Sequence, residues 1–189
     1  MYTVRQAVEA LEDFPVIAAV KALDHAGAAA RSEVAVVFVL GGSILTMDGI
    51  MAELNAGGKM VFLHMDLIEG VGRDEAGLIY TARRWKPAGV ISTRAQLVKA
   101  ARDHGLLAIQ RVFLLDSGSI RSGIQLIGQC TPDFVEVMPG VIPKAIGQFK
   151  SAGRPVIAGG MVTARNEVID ALSAGALAVS TSSRELWNE

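Results

Sequence analysis

Two stretches near the end of the chain carry residue types that bind phosphate. Both are apolar runs that end in small residues, Pro155-Val-Ile-Ala-Gly-Gly-Met161 and Ala176-Leu-Ala-Val-Ser-Thr-Ser182. Glycine lets a backbone amide approach an anion closely, and serine and threonine add hydroxyl donors. The seventh and eighth strands of a (β/α)8 barrel have this pattern when their loops hold a phosphate. A small phosphorylated metabolite is therefore the predicted ligand class, with phosphate contacts from Gly159, Gly160, Ser180, Thr181 and Ser182.

The same residues also have a purely structural interpretation. A Gly-Gly pair makes a tight turn, and a Ser-Thr-Ser sequence caps a helix. A short helix is predicted over Ser183–Trp187, and its N-terminus would favour negative charge. Because both runs fall in the last two repeating units of the chain, the sequence favours phosphate binding over two unrelated turns.

Eight short apolar runs recur along the chain, with segments of helical periodicity between them. Runs of Val, Ile and Leu without alternation are typical of parallel strands that are covered on both faces. Strands that alternate with helices predict a parallel sheet. The predicted strands are Val16–Val20, Val34–Leu40, Met60–Met65, Gly89–Ser92, Leu106–Leu114, Phe134–Met138, Val156–Ala158 and Ala176–Ser180. Helical spacing is clearest over Asp74–Trp85, Arg94–His104 and Thr163–Ala174.

The predicted fold class is α/β: a compact TIM-type (β/α)8 barrel with parallel strands, formed as one domain by residues 1–189. Eight units leave fewer than about 24 residues each, so the loops must be short and some helices only a turn or two long. Residues 1–13 have helical spacing up to Phe14-Pro15, and this helix is expected to cover one barrel end. An open doubly wound sheet is the alternative, but no Gly-x-Gly-x-x-Gly motif follows the first strand.

Composition excludes several classes of protein. The chain is 51% hydrophobic and 20% charged, which excludes a disordered protein. No apolar stretch reaches the roughly 18 residues of a membrane helix, and the N-terminal residues do not resemble a signal peptide. The single cysteine, Cys130, cannot form an internal disulfide and fits a reducing cytoplasm. The net charge of −1 provides no global attraction to nucleic acid.

Charged side chains also follow or interrupt the predicted strands. Lys21 ends the first run and is interpreted as a ligand contact rather than a covalent catalyst. Asp66 follows the third run, where it could accept a ligand hydroxyl or cap the next segment, and His64 before it is more typical of a hydrogen-bonded core residue. The predicted polar contacts to the ligand are Lys21, Asp66, Glu136 and Arg94.

Arg111 and Glu136 are charges embedded in apolar runs, and a buried charge must be paired or bound to something. Two interpretations stay open: a structural ion pair between the fifth and sixth strands, or a contact from Glu136 to ligand hydroxyls. No histidine or cysteine has metal-ligand spacing, so neither a metal nor a cofactor is predicted. An enzyme is the alternative function, with Asp66, Glu69 and Glu136 as acid or base candidates and Mg²⁺ on Asp66 and Glu69.

At these same residues the chain resembles the glycerol uptake operon antiterminator family. The similar segments run in order through nearly the whole chain: Pro15–Lys21, Val39–Gly42, His64–Gly70, Gly89–Arg94, Gln110–Ser117, Phe134–Gly140, Pro155–Gly160 and Ala176–Ser182. The resemblance implies a TIM-type barrel that responds to glycerol 3-phosphate and regulates transcription by antitermination. It further implies binding to the leader mRNA of glycerol-utilisation genes and no catalysis. The alternative is a small barrel isomerase, lyase or prenyltransferase that acts on a phosphorylated metabolite.

An RNA-binding surface is harder to find in the sequence, because acidic residues slightly outnumber basic ones. One local cluster, Arg83-Arg84-Trp85-Lys86, joins three cations to an aromatic ring. Such a cluster can bind RNA by charge and stacking, and Arg83, Arg84 and Lys86 are the candidate contacts. A solvated helix end, where cations suit the helix dipole, is the competing interpretation. The sequence leaves a homo-oligomer open.

Overall fold

Eight parallel strands close into a barrel, in which the first strand pairs with the eighth. The computed structural model describes residues 2–188, apart from the side chain of Asp24. The closed barrel confirms the fold predicted from the apolar runs. Its strands are β1 (Val16–Val20), β2 (Val36–Val39), β3 (Met60–His64), β4 (Gly89–Ser92), β5 (Leu107–Phe113), β6 (Phe134–Met138), β7 (Val156–Gly159) and β8 (Ala178–Thr181).

One α-helix precedes the barrel and one connects each pair of consecutive strands. The helices are α1 (Val4–Asp13), α2 (Leu23–Arg31), α3 (Met47–Ala56), α4 (Glu75–Arg84), α5 (Ala95–Asp103), α6 (Ser117–Cys130), α7 (Pro143–Phe149) and α8 (Arg165–Ser173). Short 3-10 helices cover Met65–Leu67, Lys150–Ala152 and Arg184–Asn188. The last of these corresponds to the short helix predicted after the eighth run. The chain length predicted that some helices would be only a turn or two long, and α7, with 7 residues, is of that length.

The amino-terminal end of the barrel is filled with apolar side chains. Phe38 and Phe62 meet edge to face there, with ring centroids 5.7 Å apart. Ala7 and Leu11 of α1 are buried in the same cluster, so this helix covers the end of the barrel at which the strands begin. The other strand residues in the cluster include Ile17, Val36, Met60, Ile91, Leu107, Ile109, Phe134, Ile157 and Ala178.

The carboxyl-terminal end of the barrel interior is polar instead. Side chains two residues apart on a strand point to the same side of the sheet. The side chains two positions after the inward apolar residues therefore also point inward, and these apolar residues are Phe62, Ile109, Phe134, Ile157 and Ala178. These positions hold His64, Arg111, Glu136, Gly159 and Ser180.

No α-helix within residues 2–188 is both long enough and apolar enough to cross a membrane.

Candidate functional site

A buried chain of polar contacts crosses the carboxyl-terminal end of the barrel. Arg111 of β5 and Glu136 of β6 are direct neighbours in the strand register. Arg111 Nε donates to Glu136 Oε2 at 2.7 Å, and Ser180 Oγ donates to Glu136 Oε1 at 2.7 Å. The ion pair between the fifth and sixth strands, one of the two interpretations of the sequence, is therefore present.

Gly159 makes room for this arrangement. A Cβ atom at Gly159 would lie 2.4 Å from Glu136 Oε1 and 2.7 Å from Ser180 Oγ. Both distances are shorter than any ordinary contact between heavy atoms, so a side chain here would displace the buried carboxylate. The glycine that ends the seventh strand therefore supports the ion pair as well as bordering the predicted phosphate site.

Two buried polar atoms beside the ion pair have no hydrogen-bond partner among the described residues: His64 Nδ1 and Arg111 Nη2. His64 is only 2% exposed, and burial followed by the positive charge of Arg111 lowers its pKa from 6.5 to about 4. His64 is therefore neutral near neutral pH. Its Nδ1 lies 3.8 Å from Asp66 Oδ2, which is too far for a hydrogen bond.

A cavity of about 240 Å³ opens above this polar layer. It brings together most of the residues predicted from the sequence. Its polar lining comprises Lys21, Arg111, Glu136, Gly160, Thr163, Ser180, Thr181 and Ser182. A second recess of about 300 Å³ shares Lys21 and is also lined by Ser43, Thr46 and Glu69.

The loops after β7 and β8 present free backbone donors to this cavity. Within the described part of the chain, the amides of Gly160, Met161, Val162 and Ser182 donate to no protein acceptor. Gly160 and Met161 both have positive φ, at 76° and 64°, which turns the chain sharply after β7. The sequence predicted Gly160 and Ser182 as phosphate contacts but did not single out Met161 and Val162, because a left-handed methionine leaves no signal in the sequence.

Other donors in the same loops already have protein partners. The amides of Thr163 and Ala164 bind Glu167 Oε2, at 2.7 Å and 3.0 Å, and these hydrogen bonds lower the pKa of Glu167. The Thr181 hydroxyl donates to the Val162 carbonyl, and it accepts from the Ser183 amide. The Thr181 hydroxyl is therefore used within the protein, as the Ser180 hydroxyl is.

Asp66 and Arg94 lie beside the cavity rather than in its lining. Asp66 accepts hydrogen bonds from the Ser92 hydroxyl and from both the amide and the hydroxyl of Thr93, between 2.7 Å and 3.1 Å. Arg94 Nε is 3.6 Å from Asp66 Oδ1. Asp66 thus holds the loop after β4, a role that neither interpretation of the sequence included. The predicted ligand contacts of Asp66 and Arg94 stay predictions.

The basic cluster lies at the opposite end of the barrel, because α4 runs back toward the start of β4. Arg83 and Lys86 are exposed, whereas Arg84 forms a salt bridge with Asp48. The Trp85 ring is only 4% exposed, and its indole N–H donates to Asp48 at 2.8 Å. Trp85 is therefore unavailable for the stacking on RNA bases that the sequence suggested, and only the charges of the cluster face solvent.

The carboxylates proposed for an enzyme lie in different surroundings. No group of three or more His, Cys, Asp or Glu side chains within residues 2–188 could hold a metal ion. Asp66 and Glu136 are held by protein donors, as described above. Glu69 is exposed at the second recess, where its backbone pairs with the segment after β2.

Comparisons with known proteins agree with this architecture. Residues 16–187 match the family model described as "Glycerol-3-phosphate responsive antiterminator". The crystal structure of the glycerol uptake operon antiterminator regulatory protein from Listeria monocytogenes is 31% identical, with a TM-score of 0.88 over 93% of this chain and 95% of that chain. A glycerol uptake operon antiterminator-related protein from Thermotoga maritima is 35% identical, with a TM-score of 0.81 over 91% and 96% of the two chains.

A curated relative extends the match to Escherichia coli. The "Uncharacterized protein YgcP" of strain K12 is 36% identical over 178 residues, which cover 94% of this chain and 93% of the relative. Barrel enzymes also superimpose on the structure, among them an N-acetylmannosamine-6-phosphate 2-epimerase from Clostridium perfringens at 14% identity and a TM-score of 0.72. At that level of identity the likeness shows the fold alone.

Proposed function

Because the chain belongs to the glycerol-3-phosphate responsive antiterminator family, we propose that it is a cytoplasmic transcription antiterminator that binds glycerol 3-phosphate and the leader mRNA of glycerol-utilisation genes. One observation carries the ligand half of this proposal. The cavity at the carboxyl-terminal end combines unpaired loop amides and a lysine with a buried polar layer at its base. That combination suits a small molecule with a phosphate at one end and hydroxyls at the other.

The phosphate is placed at the loops after β7 and β8. The free amides of Gly160, Met161, Val162 and Ser182 supply donors without requiring any protein hydrogen bond to break. Lys21 is exposed and lines the same cavity, so its ammonium group can neutralise part of the phosphate charge. Gly159, Ser180 and Thr181 would contribute by shaping these loops, since their own polar groups are bonded or absent.

The hydroxyl end of the ligand is placed toward Glu136, which lines the inner part of the cavity. Each Glu136 oxygen accepts one protein hydrogen bond and keeps further acceptor capacity. Asp66 and Arg94 are proposed to act at the edge of the opening, where Asp66 fixes the loop that carries Arg94.

Ligand binding is testable by thermal stabilisation with glycerol 3-phosphate, glycerol and inorganic phosphate in parallel. A ligand at a hundredfold its Kd adds about 2.7 kcal/mol to the free energy of unfolding. We expect this stabilisation with glycerol 3-phosphate alone at matched concentrations. Lys21→Met should weaken binding by about 10-fold, since charge-assisted hydrogen bonds contribute roughly 1.5–3 kcal/mol. Lys99→Met, on the exposed face of α5, is the matched control, and equal stabilisation by all three compounds would contradict the proposal.

For the RNA half, the candidate surface is the exposed charge of Arg83 and Lys86. The two proposed sites lie at opposite ends of the barrel, so the ligand and the RNA would not touch each other. The ligand would act on RNA binding by shifting the population of the form that is competent for RNA. Binding of a leader transcript should be measured over a salt series, with and without glycerol 3-phosphate. Arg83→Glu and Lys86→Glu should each weaken binding and reduce the salt slope by about 1. Arg84 is left intact, because its charge is paired with Asp48.

Two outcomes would contradict the RNA half of the proposal. Transcript affinity that does not respond to glycerol 3-phosphate would exclude an effector-controlled switch. Unchanged affinity in both charge-reversal variants would remove this cluster as the RNA contact. Arg31→Glu, at the exposed end of α2, tests whether any surface charge reversal has the same effect.

A further inference from the structure

Arg111 leaves most of its hydrogen-bonding capacity unused. A guanidinium group has five N–H donors, and toward the described residues only Nε donates, to Glu136 at 2.7 Å. The side chain lines the cavity although Arg111 is only 6% exposed, and its Nη2 is fully buried without an acceptor. Leaving a buried charged donor unpaired is costly, so we expect the guanidinium to turn toward a ligand oxygen atom when the site is filled.

Glu136 determines which chemical groups of a ligand can lie beside Arg111. Its carboxylate lies directly against Arg111, so the pair carries no net charge. Both carboxylate oxygens already accept one hydrogen bond, and each retains a free lone pair. His64, the other buried group with an unpartnered atom, adds no charge because burial keeps its pKa at about 4. The inner end of the cavity therefore offers a donor and an acceptor side by side, in a neutral environment.

We infer that Arg111 and Glu136 together form a hydroxyl-reading subsite, which selects polyol phosphates over phosphates that end in a carboxylate or an alkyl group. This inference rests on the proposed function, since it assumes that the phosphate occupies the loops after β7 and β8. A hydroxyl accepts from the guanidinium and donates to the carboxylate, so both unpaired capacities are used. A carboxylate cannot donate and is repelled by Glu136, whereas an alkyl end leaves the buried donor unpaired. Arg111 is thereby assigned as a specificity-determining residue.

Three probes with the same three-carbon skeleton test the subsite by calorimetric titration. They are glycerol 3-phosphate, propyl phosphate, which lacks both hydroxyls, and 3-phosphoglycerate, which has a carboxylate in place of the terminal hydroxymethyl group. We expect propyl phosphate and 3-phosphoglycerate each to bind about 10-fold to 100-fold more weakly than glycerol 3-phosphate. Equal affinity for all three in the unmodified protein would overturn the inference without any variant.

Two substitutions separate the donor from the acceptor. Arg111→Lys keeps a cation beside Glu136 but removes both Nη groups. The preference for glycerol 3-phosphate over propyl phosphate should therefore fall to about 3-fold or less. The affinity for propyl phosphate itself should stay unchanged. Glu136→Gln removes the negative charge, so the preference over 3-phosphoglycerate should shrink instead. Arg31→Lys makes the same chemical change at an exposed position and should leave every preference intact.

Failure of this inference is distinguishable from failure of the proposed function. If the unmodified protein does not prefer glycerol 3-phosphate over inorganic phosphate, the proposed effector itself is wrong. If that preference holds and the Arg111→Lys variant retains full discrimination against propyl phosphate, only the subsite is wrong. Should Arg111→Lys fail to fold, the Glu136→Gln titration and the unmodified protein's order of affinities decide the question.

Discussion

The two ends of the barrel are built from the same strands but have opposite chemistry. At the amino-terminal end, Phe38 and Phe62 pack together under α1 among other buried apolar side chains. At the carboxyl-terminal end, two residues further along β3 and β5, the interior holds His64 and Arg111 with unpartnered buried nitrogen atoms. A short step along a strand thus separates a packed core from the proposed binding site.

This difference suggests different roles for the two ends, stability at one and the proposed ligand binding at the other. The apolar end gains free energy from burial and needs no partner outside the protein. The polar end carries desolvated groups whose hydrogen bonds are incomplete, so it contributes less to stability and has more to gain from a ligand. Substitutions at the two ends should therefore affect different measurements.

The largest effect on stability is expected at the apolar end. Phe38→Ala should lower the free energy of unfolding by roughly 3–5 kcal/mol, because the fully buried ring leaves a cavity. The preference for glycerol 3-phosphate over inorganic phosphate should be retained in the fraction that folds. Urea denaturation measures the first quantity, with Leu45→Ala, whose side chain is 88% exposed, as the control. A loss below 1 kcal/mol would show that this end is not tightly packed.

A somewhat smaller effect is expected from acid at the polar end. Because the pKa of His64 is about 4 in the folded protein and 6.5 when unfolded, the unfolded chain binds more protons between these values. Stability should therefore fall by roughly 1.4 kcal/mol per pH unit as the pH drops through this window, or about 3 kcal/mol in total. Urea denaturation between pH 7 and about pH 4 should show this component in the unmodified protein and not in His64→Gln. Parallel pH profiles for the two proteins would refute the assignment.

The smallest of the three effects is expected at the boundary of the site. Gly159→Ala should destabilise the protein by about 1–3 kcal/mol, because the new methyl group would displace Glu136 and Ser180. It should also weaken glycerol 3-phosphate binding, which the Phe38 variant should not. Gly128→Ala is the matched control: apart from its chain neighbours and its own helix backbone, no atom of the described residues lies within 4 Å of its Cβ position in α6. The free energy of unfolding of this variant should rise by up to about 1 kcal/mol. Thermal unfolding with and without ligand compares the two variants, and equal changes in both would contradict the steric explanation.

Much of the fold was predictable because the strands are short, apolar and regularly spaced. Three strands, Val16–Val20, Gly89–Ser92 and Phe134–Met138, have the predicted bounds. The helix α6 was not identified from periodicity, although it is the longest helix of the described chain, with 14 residues. Its glycines, at positions 118, 123 and 128, lower the helix propensity, so its apolar residues were not recognised as a face.

The site was predictable only where a residue type reveals its own environment. A charge inside an apolar run identified Arg111 and Glu136, and the structure pairs them. The binding of Asp66 to Ser92 and Thr93 could not be predicted, because it joins residues 26 and 27 positions apart through the fold. The burial of Trp85 is a similar case, since its partner Asp48 lies 37 positions earlier.

Sealing of one barrel end by α1 has a kinetic consequence. A molecule held at the base of the cavity has a single route in and out, through the loops after the strands. Anything that narrows that opening slows arrival and departure by the same factor. Such an obstruction lengthens the lifetime of the bound state without altering the dissociation constant.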